Sequence, residues 1–508
     1  MNLFLKHQPE QGQIRKQESR NKKKQRSVNV SMYCSFSLNE GYFSMNENET
    51  EKNGSKGMDR RDFLQGLATV PVLGVFGAAL AHDISIKKQA IAQPVKERPR
   101  NLDELNIALI GVGAQGQVLM DSMLKLPGLR FKAVCDIWET YNLKRAAGIL
   151  KRYGHPVNRY TDYREMLAKE TGLDAVVIAT PDFWHAEHTV ACLENGLHVY
   201  CEKEMSNTLE GAGKMVLAAR KTDKLLQIGH QRRSNPRYLH CYNHLIQETR
   251  LLGRLTSVNG QWNRAVQPDL GWPEKYAIEP SVLNRFGYDS MHQFRNWRWF
   301  KGLGGGPIVD LGSHQIDIYN WFLNSRPKSV MASGGMDYYN KNEHEWYDTV
   351  LAIYEYETPN GMIRAFYQTL TTNSSEGYFE NFLGDQGTLH ISESANRGGV
   401  YREPNAPQWD EWVRLGYLDA PVKAGEQNTD AVLDVRETIA PDKHAIPVVF
   451  TDPYHLPHLE NFFNAVRGLE LLNCPAETGY ETAVTVLKVN AAVESGGKTG
   501  FSDEEFHI

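Results

Sequence analysis

The segment Asn106-Ile-Ala-Leu-Ile-Gly-Val-Gly-Ala-Gln-Gly116 constrains this chain more than any other. Ile107 to Ile110 form a short apolar run, suited to a strand buried on both faces. Gly111, Gly113 and Gly116 follow at once in G-x-G-x-x-G spacing. The next residues place Val118, Leu119, Met123 and Leu124 at helical intervals. Strand, glycine turn and helix together are the context of a dinucleotide fingerprint. The first glycine makes the tight turn, the second lets backbone approach a pyrophosphate, and the third lets helix pack on strand. The N–H groups of Ala114, Gln115 and Gly116 then open a helix whose positive end faces the phosphates.

A lone glycine motif is weak, and a glycine-rich turn with a capping Asp would explain it equally. Here a second strand, Leu129 to Cys135, ends in Asp136, about 20 residues past Gly116. An acid at that position accepts hydrogen bonds from the adenosine ribose. It would repel a 2′-phosphate, so NAD is expected over NADP. Lys144 and Arg145 nearby temper that preference.

A chain of 508 residues accommodates two or three domains. Its net charge of −5 gives no basis for a nucleic-acid partner. None of the six cysteines forms C-x-x-C, which argues against a zinc or redox motif. Cys135, Cys192 and Cys201 read as buried small side chains, with a Cys192–Cys201 disulfide left open for an oxidising compartment.

Residues 1–57 are polar and basic, then Asn- and Glu-rich, and read as a disordered or spurious extension. From Met58 the character changes. Arg60-Arg61, Phe63-Leu64, an apolar stretch and Ala79-Leu-Ala81 resemble a twin-arginine (Tat) export signal over residues 58–81, with cleavage near Ala81. A membrane anchor is the alternative, but the apolar run falls short of the ~20 residues of a span. Residues 82–104, with two prolines and mixed charge, read as a linker. The expectation is a periplasmic protein with no stable membrane anchor. Free nucleotide is scarce there, so the dinucleotide would be tightly held.

Residues 105–230 alternate strand and helix, with strands at 106–110, 130–135, 174–179, 198–201 and 225–228. That pattern gives a parallel sheet whose ligands lie at the strands' carboxyl ends. Two of those ends are polar: Ala179-Thr180-Pro181 with His185, and Glu202-Lys203-Glu204. Together with the glycine turn they resemble the Gfo/Idh/MocA family of sugar and cyclitol oxidoreductases. The family's E-K-P has Glu204 in place of proline here, which predicts an altered turn. The resemblance implies that Thr180, Pro181, His185, Glu202, Lys203 and Gln231 join Gly111, Gly113, Ala114, Gln115, Gly116 and Asp136 around NAD. It places Lys203 beside the nicotinamide and the reacting hydroxyl.

The fold expected is α/β: an N-terminal Rossmann domain, then an α+β domain over residues 231–508 with a large open, mainly antiparallel sheet. Strands at 328–336, 347–356, 361–371 and 376–384 form a meander, and residues 392–445 read as loop. The sheet's uncovered face would pair with another subunit, as in the family, giving a dimer or tetramer.

The second domain's chemistry lies in Gly304-Gly-Gly-Pro-Ile-Val-Asp-Leu-Gly-Ser-His314. A single helix after the glycine loop would stack Asp310 and His314 on one face at i and i+4. The family carries the same D-x-x-x-H. The resemblance makes His314 the base that takes the hydroxyl proton, with Asp310 orienting substrate or raising the basicity of His314. Asp and His at this spacing could also chelate a metal, but no third ligand is evident, so none is expected. The Trp- and Arg-rich stretch 262–303, with Trp297 and Arg298, reads as a carbohydrate-binding insertion or as a loop packed by its own aromatics.

Two enzyme readings follow. One is an NAD-dependent oxidoreductase acting on a secondary hydroxyl of a sugar, glycoside or cyclitol. The other is a glycosidase using NAD through oxidation, elimination and reduction, as one branch of the family does. A non-catalytic binding protein would be expected to lack Lys203 or His314.

Overall fold

The computed structural model describes residues 103–394, 396–422 and 441–508. The extension, the export signal and nearly all of the linker lie outside these residues. The first sheet is parallel, in the order β3-β2-β1-β4-β5-β6. Its strands are β1 (Leu105–Ile110), β2 (Leu129–Cys135), β3 (Asn158–Tyr160), β4 (Ala175–Ile178), β5 (His198–Cys201) and β6 (Leu226–Ile228). The connecting helices are α1 (Ala114–Met123), α2 (Lys144–Arg152), α3 (Tyr163–Lys169), α4 (Asp182–Glu194) and α5 (Leu209–Thr222). β1 lies at the centre and is buried along nearly its whole length, as its apolar run requires. β3 carries no apolar run and escapes the sequence pattern, yet its backbone extends the sheet beside β2.

Helix α6 (Pro236–His240) leads to β7 (Leu255–Asn263), which opens the second sheet. Short helices α7 (Pro280–Arg285), α8 (Met291–Arg295) and α9 (Pro307–Asp310) follow, then α10 (Gly312–Leu323). The meander is β8 (Pro327–Gly335), β9 (Thr349–Thr358), β10 (Gly361–Leu370), β11 (Tyr378–Gly384) and β12 (Gly387–Ile391). β7 pairs in parallel with β10, and the other neighbours are antiparallel. Apolar side chains of β8 to β10 alternate across the sheet. Val330, Tyr354, Ala365 and Tyr367 join a core with Ile316, Tyr319, Val486 and Val489, while Met331, Ile353 and Phe366 point to the outer face.

Residues 392–445 depart from the loop expectation. β13 (Gly399–Arg402), α11 (Asp410–Arg414), β14 (Pro421–Val422) and β15 (Asp442–His444) lie there, and the strands extend the sheet to ten. Their apolar residues come in short pairs and singles without a sustained period, yet Val400, Trp409 and Leu418 are buried. The chain closes with α12 (Leu456–Val466), α13 (Ala476–Ser495) and β16 (Lys498–Gly500). α12 does not stay with the second domain. Its Leu456, Leu459, Phe462 and Phe463 pack with Ile107, Leu109, Leu119 and Tyr200 of the first sheet's layer. No helix among the described residues is long and apolar enough to cross a membrane. Cys192 and Cys201 are both free, with no disulfide between them.

Candidate active site

The glycine turn has the geometry the sequence implies. Gly111 adopts φ +85°, and a Cβ there would lie 2.7 Å from the Ala179 backbone. A Cβ on Gly116 would stand 2.0 Å from the Gly111 carbonyl oxygen, so this glycine permits α1 to meet β1. Gly113 differs: the nearest atom to a Cβ there is Asn142 Nδ2 at 3.6 Å, leaving its approach open. No side chain caps the N-terminus of α1. Asp136 stands at the end of β2, accepting from Val112 N–H at 2.9 Å and Trp138 N–H at 2.8 Å. Burial raises its carboxyl to about 6 despite those bonds. An uncapped helix end, an open glycine and an acid at the strand terminus fit a dinucleotide.

The strand ends deliver a second group of residues. Pro181 is the residue before α4, and the Thr180 hydroxyl meets His188 Nδ1 at 3.1 Å. His185 does not face a ligand. Its ring lies between the Thr180 and Glu204 carbonyls, each 2.7 Å from a ring nitrogen, and donates to one of them from its single N–H. Burial lowers its pKa to about 4. Gln115 donates to Glu202 Oε1 at 3.2 Å and contacts His455 Nε2 at 3.0 Å, so its side chain braces the turn against β5 and the start of α12. Gln231 is likewise engaged, donating to Glu393 Oε1 at 3.2 Å.

Lys203 projects from the end of β5 to the second domain. Its ammonium donates to the Asp310 backbone carbonyl and lies 3.3 Å from Asp310 Oδ1. The single helix expected here is broken: α9 ends at Asp310, and His314 lies in the first turn of α10. The expected Asp310–His314 partnership is therefore replaced by a cation cluster. Asp310 Oδ2 accepts from Arg298 Nε at 3.1 Å and lies 3.9 Å from Arg264. Burial pushes its carboxyl up, but Arg298, Lys203 and Arg264 together hold it well below the usual carboxylate range.

His314 is buried, with no hydrogen-bond partner for Nδ1, and its ring lies 5.2 Å from that of Trp262. Burial, then the Lys203 and Arg232 charges, hold its pKa well below the ordinary value, so the imidazole is neutral at neutral pH. It can therefore take a proton.

A cavity adjoins Asp310, lined by Asp182, Arg264, Trp297, Arg298 and Trp346 among others. Trp297 and Arg298, part of the Trp- and Arg-rich stretch, both line this cavity. Asp182 was not singled out in the sequence. It opens α4, and burial raises its carboxyl to about 7, with the Asp310 charge acting in the same direction. His230 is a second addition: it is buried beside the junction, with both ring nitrogens unpartnered. Neither stands in a spacing that marks chemistry. Among the described residues no group of three or more His, Cys, Asp or Glu could hold a metal ion.

With this geometry in hand, comparison with known proteins gives a consistent result. The model of the oxidoreductase family with NAD-binding Rossmann fold (Gfo/Idh/MocA) matches residues 105–230, and that of the Gfo/Idh/MocA C-terminal domain matches residues 244–390. Together they cover more than half of the chain. The chain belongs to the Gfo/Idh/MocA family. This Gfo/Idh/MocA protein is an oxidoreductase with an NAD-binding Rossmann domain. It is 24% identical over 297 residues to the inositol 2-dehydrogenase of Rubrobacter xylanophilus, covering 57% of this chain and 72% of that one. It is 30% identical over 174 residues to a glycosyl hydrolase family 109 protein of Shewanella baltica, covering 32% of this chain and 38% of that protein. Its fold is similar to the WlbA dehydrogenase of Bordetella pertussis, solved with NADH and UDP-GlcNAcA. There the TM-score is 0.58 and the identity 17%, over 78% of this chain and 99% of that one.

Proposed function

We propose that this oxidoreductase acts on a secondary hydroxyl of a sugar, glycoside or cyclitol. The observation that carries this reading is a Lys203 fixed on Asp310 whose charge acts on a His314 that is buried and neutral. The glycine turn and Asp136 would hold NAD, which would supply the hydride acceptor. Lys203 donates a hydrogen bond to the substrate oxygen and stabilises the charge that develops on it. An imidazole nitrogen of His314 takes the hydroxyl proton. Asp310 keeps Lys203 and Arg298 in place rather than tuning His314. The inositol dehydrogenase relative supports a polyol or sugar substrate.

The test is turnover. Purified protein incubated with a panel of sugars, glycosides and inositols should form a keto product and reduced nicotinamide, and Lys203→Met should abolish both. Reduced nicotinamide at the wild-type rate in that variant would overturn the reading. The family 109 relative favours a second reading, a glycosidase working through transient oxidation. Release of nitrophenol from p-nitrophenyl glycosides without net NADH would select it.

Three further parts of the reading concern setting. The signal at Met58–Ala81 supports delivery to the periplasm. Export in turn favours NAD that stays bound, with NADP the less suited nucleotide. The uncovered sheet face supports a homo-oligomer. Fractionation of expressing cells and analysis of nucleotide extracted from purified protein test the first two: cytoplasmic protein without nucleotide would refute them.

A further inference from the structure

Most of the Trp- and Arg-rich stretch lies away from the cavity at Asp310. Residues 272–303 run along the carboxyl edge of the parallel sheet and touch the chain beyond four strand ends. After β2, Trp138 Nε1 donates to the Tyr276 carbonyl at 2.5 Å, and the Arg295 guanidinium lies 5.2 Å from the Trp138 ring. After β3, Asp162 pairs with Arg285. After β4, Trp184 Nε1 donates to the Phe286 carbonyl at 3.2 Å, and Phe183 meets Tyr288 edge-on with ring centres 5.5 Å apart. After β5, Asn207 donates to the Gly302 carbonyl at 2.7 Å. Trp138 of the first domain shares one buried cluster with Leu283, Phe286, Tyr288 and Met291, so the segment packs on the nucleotide domain as well as on itself.

The order of these contacts places the segment relative to the glycine turn. β1, which carries that turn, lies between β2 and β4 in the sheet. The segment meets the β2 side at Tyr276 and Arg285, and the β4 side at Phe286 and Tyr288. It returns to the β2 side at Phe294 and Arg295, then reaches the β5 end at Gly302. It therefore passes from one side of β1 to the other three times. A dinucleotide lies outside the carboxyl ends of the strands at this switch point, with its ribose on the acid that ends β2. Within 4 Å of a Cβ on Gly113 stands only Asn142 Nδ2, so the segment leaves the approach to this glycine free.

We propose that residues 272–303 are a strap that closes the dinucleotide in, so that NAD enters and leaves only when the strap lifts from the strand ends. This role rests on the reading of NAD as a nucleotide that stays bound, and gives that retention a cause in the fold. Lifting the strap breaks two indole hydrogen bonds and an ion pair at the β2, β3 and β4 ends. Contacts broken only during passage slow entry and exit by the same factor and leave Kd unchanged. Residues that hold the nucleotide itself would change Kd instead.

The test is the rate of nucleotide exchange, followed by NADH fluorescence in stopped flow, with excess NAD as the chase. Trp184→Phe with Arg285→Glu keeps an aromatic ring in the cluster, removes one hydrogen bond and turns the ion pair into two acids. This double variant releases NADH at least fivefold faster than the wild type and binds it faster by a similar factor, with Kd within threefold. Arg285→Glu alone, at a side chain 65% exposed, moves both rates the same way by at least twofold and guards against a packing defect at Trp184. Rates unchanged in both variants, or a Kd that weakens in step with release, would overturn the strap. Slow release that neither variant alters leaves the retained nucleotide standing without it, and a wild type that binds no NADH refutes both.

Discussion

The Lys203 ammonium is anchored twice on one residue, through the backbone carbonyl of Asp310 and through Oδ1 of its carboxylate at 3.3 Å. The carbonyl anchor survives any substitution that keeps the backbone. Asp310→Asn should therefore lower kcat less than Lys203→Met, which removes the donor itself. Loss of one donor aimed at developing charge costs about 10²–10³ in rate, and Lys203→Met is expected in that range. Asp310→Asn should lose about tenfold through poorer placement of Lys203 and Arg298. Steady-state kinetics check this order; equal losses would show that Asp310 acts on substrate directly.

His314 makes a pH prediction. Burial and two nearby cations favour its neutral form, so protonation sets in only well below pH 6.5. On the acid side, kcat/KM should stay level down to about pH 6.5 and fall only at lower pH. His314→Gln should lose most activity at every pH. An acid limb centred at or above about pH 7 in the wild type would assign the titrating base elsewhere.

The three glycines of the turn should separate on substitution. Gly113 has φ −69° and open space beyond its Cα, so Gly113→Ala should fold with an unaltered Tm. The added methyl stands where backbone approaches pyrophosphate, so NAD affinity should fall at least tenfold, about 1.4 kcal/mol. Gly116→Ala puts a Cβ 2.0 Å from the Gly111 carbonyl oxygen and should lower stability first, by about 1–3 kcal/mol. Thermal melts with and without NAD distinguish the two. The reverse pattern would mean that Gly113, not Gly116, carries the packing.

These parts were legible because each is local. Gly111 to Gly116, the acid at Asp136 and the Lys203 strand end are short stretches whose chemistry follows from their own neighbours. Lys203, Asp310 and Arg298 were each identifiable, but not the cluster they form. Separated by 107 residues, Lys203 and Asp310 meet only through the packing of two domains. The break between α9 and α10 lay hidden because Pro307 to His314 keeps helical spacing. A motif position likewise cannot show that the His185 ring packs between the Thr180 and Glu204 carbonyls.

Glu204 offers a stability test. Fully buried where the family has proline, it is held protonated, burial raising its carboxyl from 4.5 to about 8. The native state then keeps a proton that the unfolded chain releases. Its contribution to stability should fall as pH rises from about 4.5 and level off above about 8. Asp182 and Glu380, both at about 7, and the buried histidines also titrate in this range, in wild type and variant alike. Between about pH 7 and pH 8 the wild type should therefore lose about 1 kcal/mol more than Glu204→Gln. Urea unfolding at both pH values measures the difference; an equal slope in the variant would exclude Glu204 as its source.

The outer face of the large sheet gives the last prediction. Met331, Leu351, Ile353, Met362 and Phe366 are each 37–49% exposed on β8, β9 and β10. Alternation sends every second side chain of these strands away from the helices. The outward positions also include Glu355 and Arg364, so the patch is apolar with charged members. Contiguous apolar surface of this kind marks a protein interface more often than bare solvent, and a two-fold pairing would place each patch on its own copy. The protein should run as a dimer or tetramer in light scattering. Ile353→Glu with Phe366→Glu should shift it to monomer without loss of secondary structure, because neither side chain enters the core. A monomeric wild type, or an unshifted double variant, would place the assembly contact elsewhere.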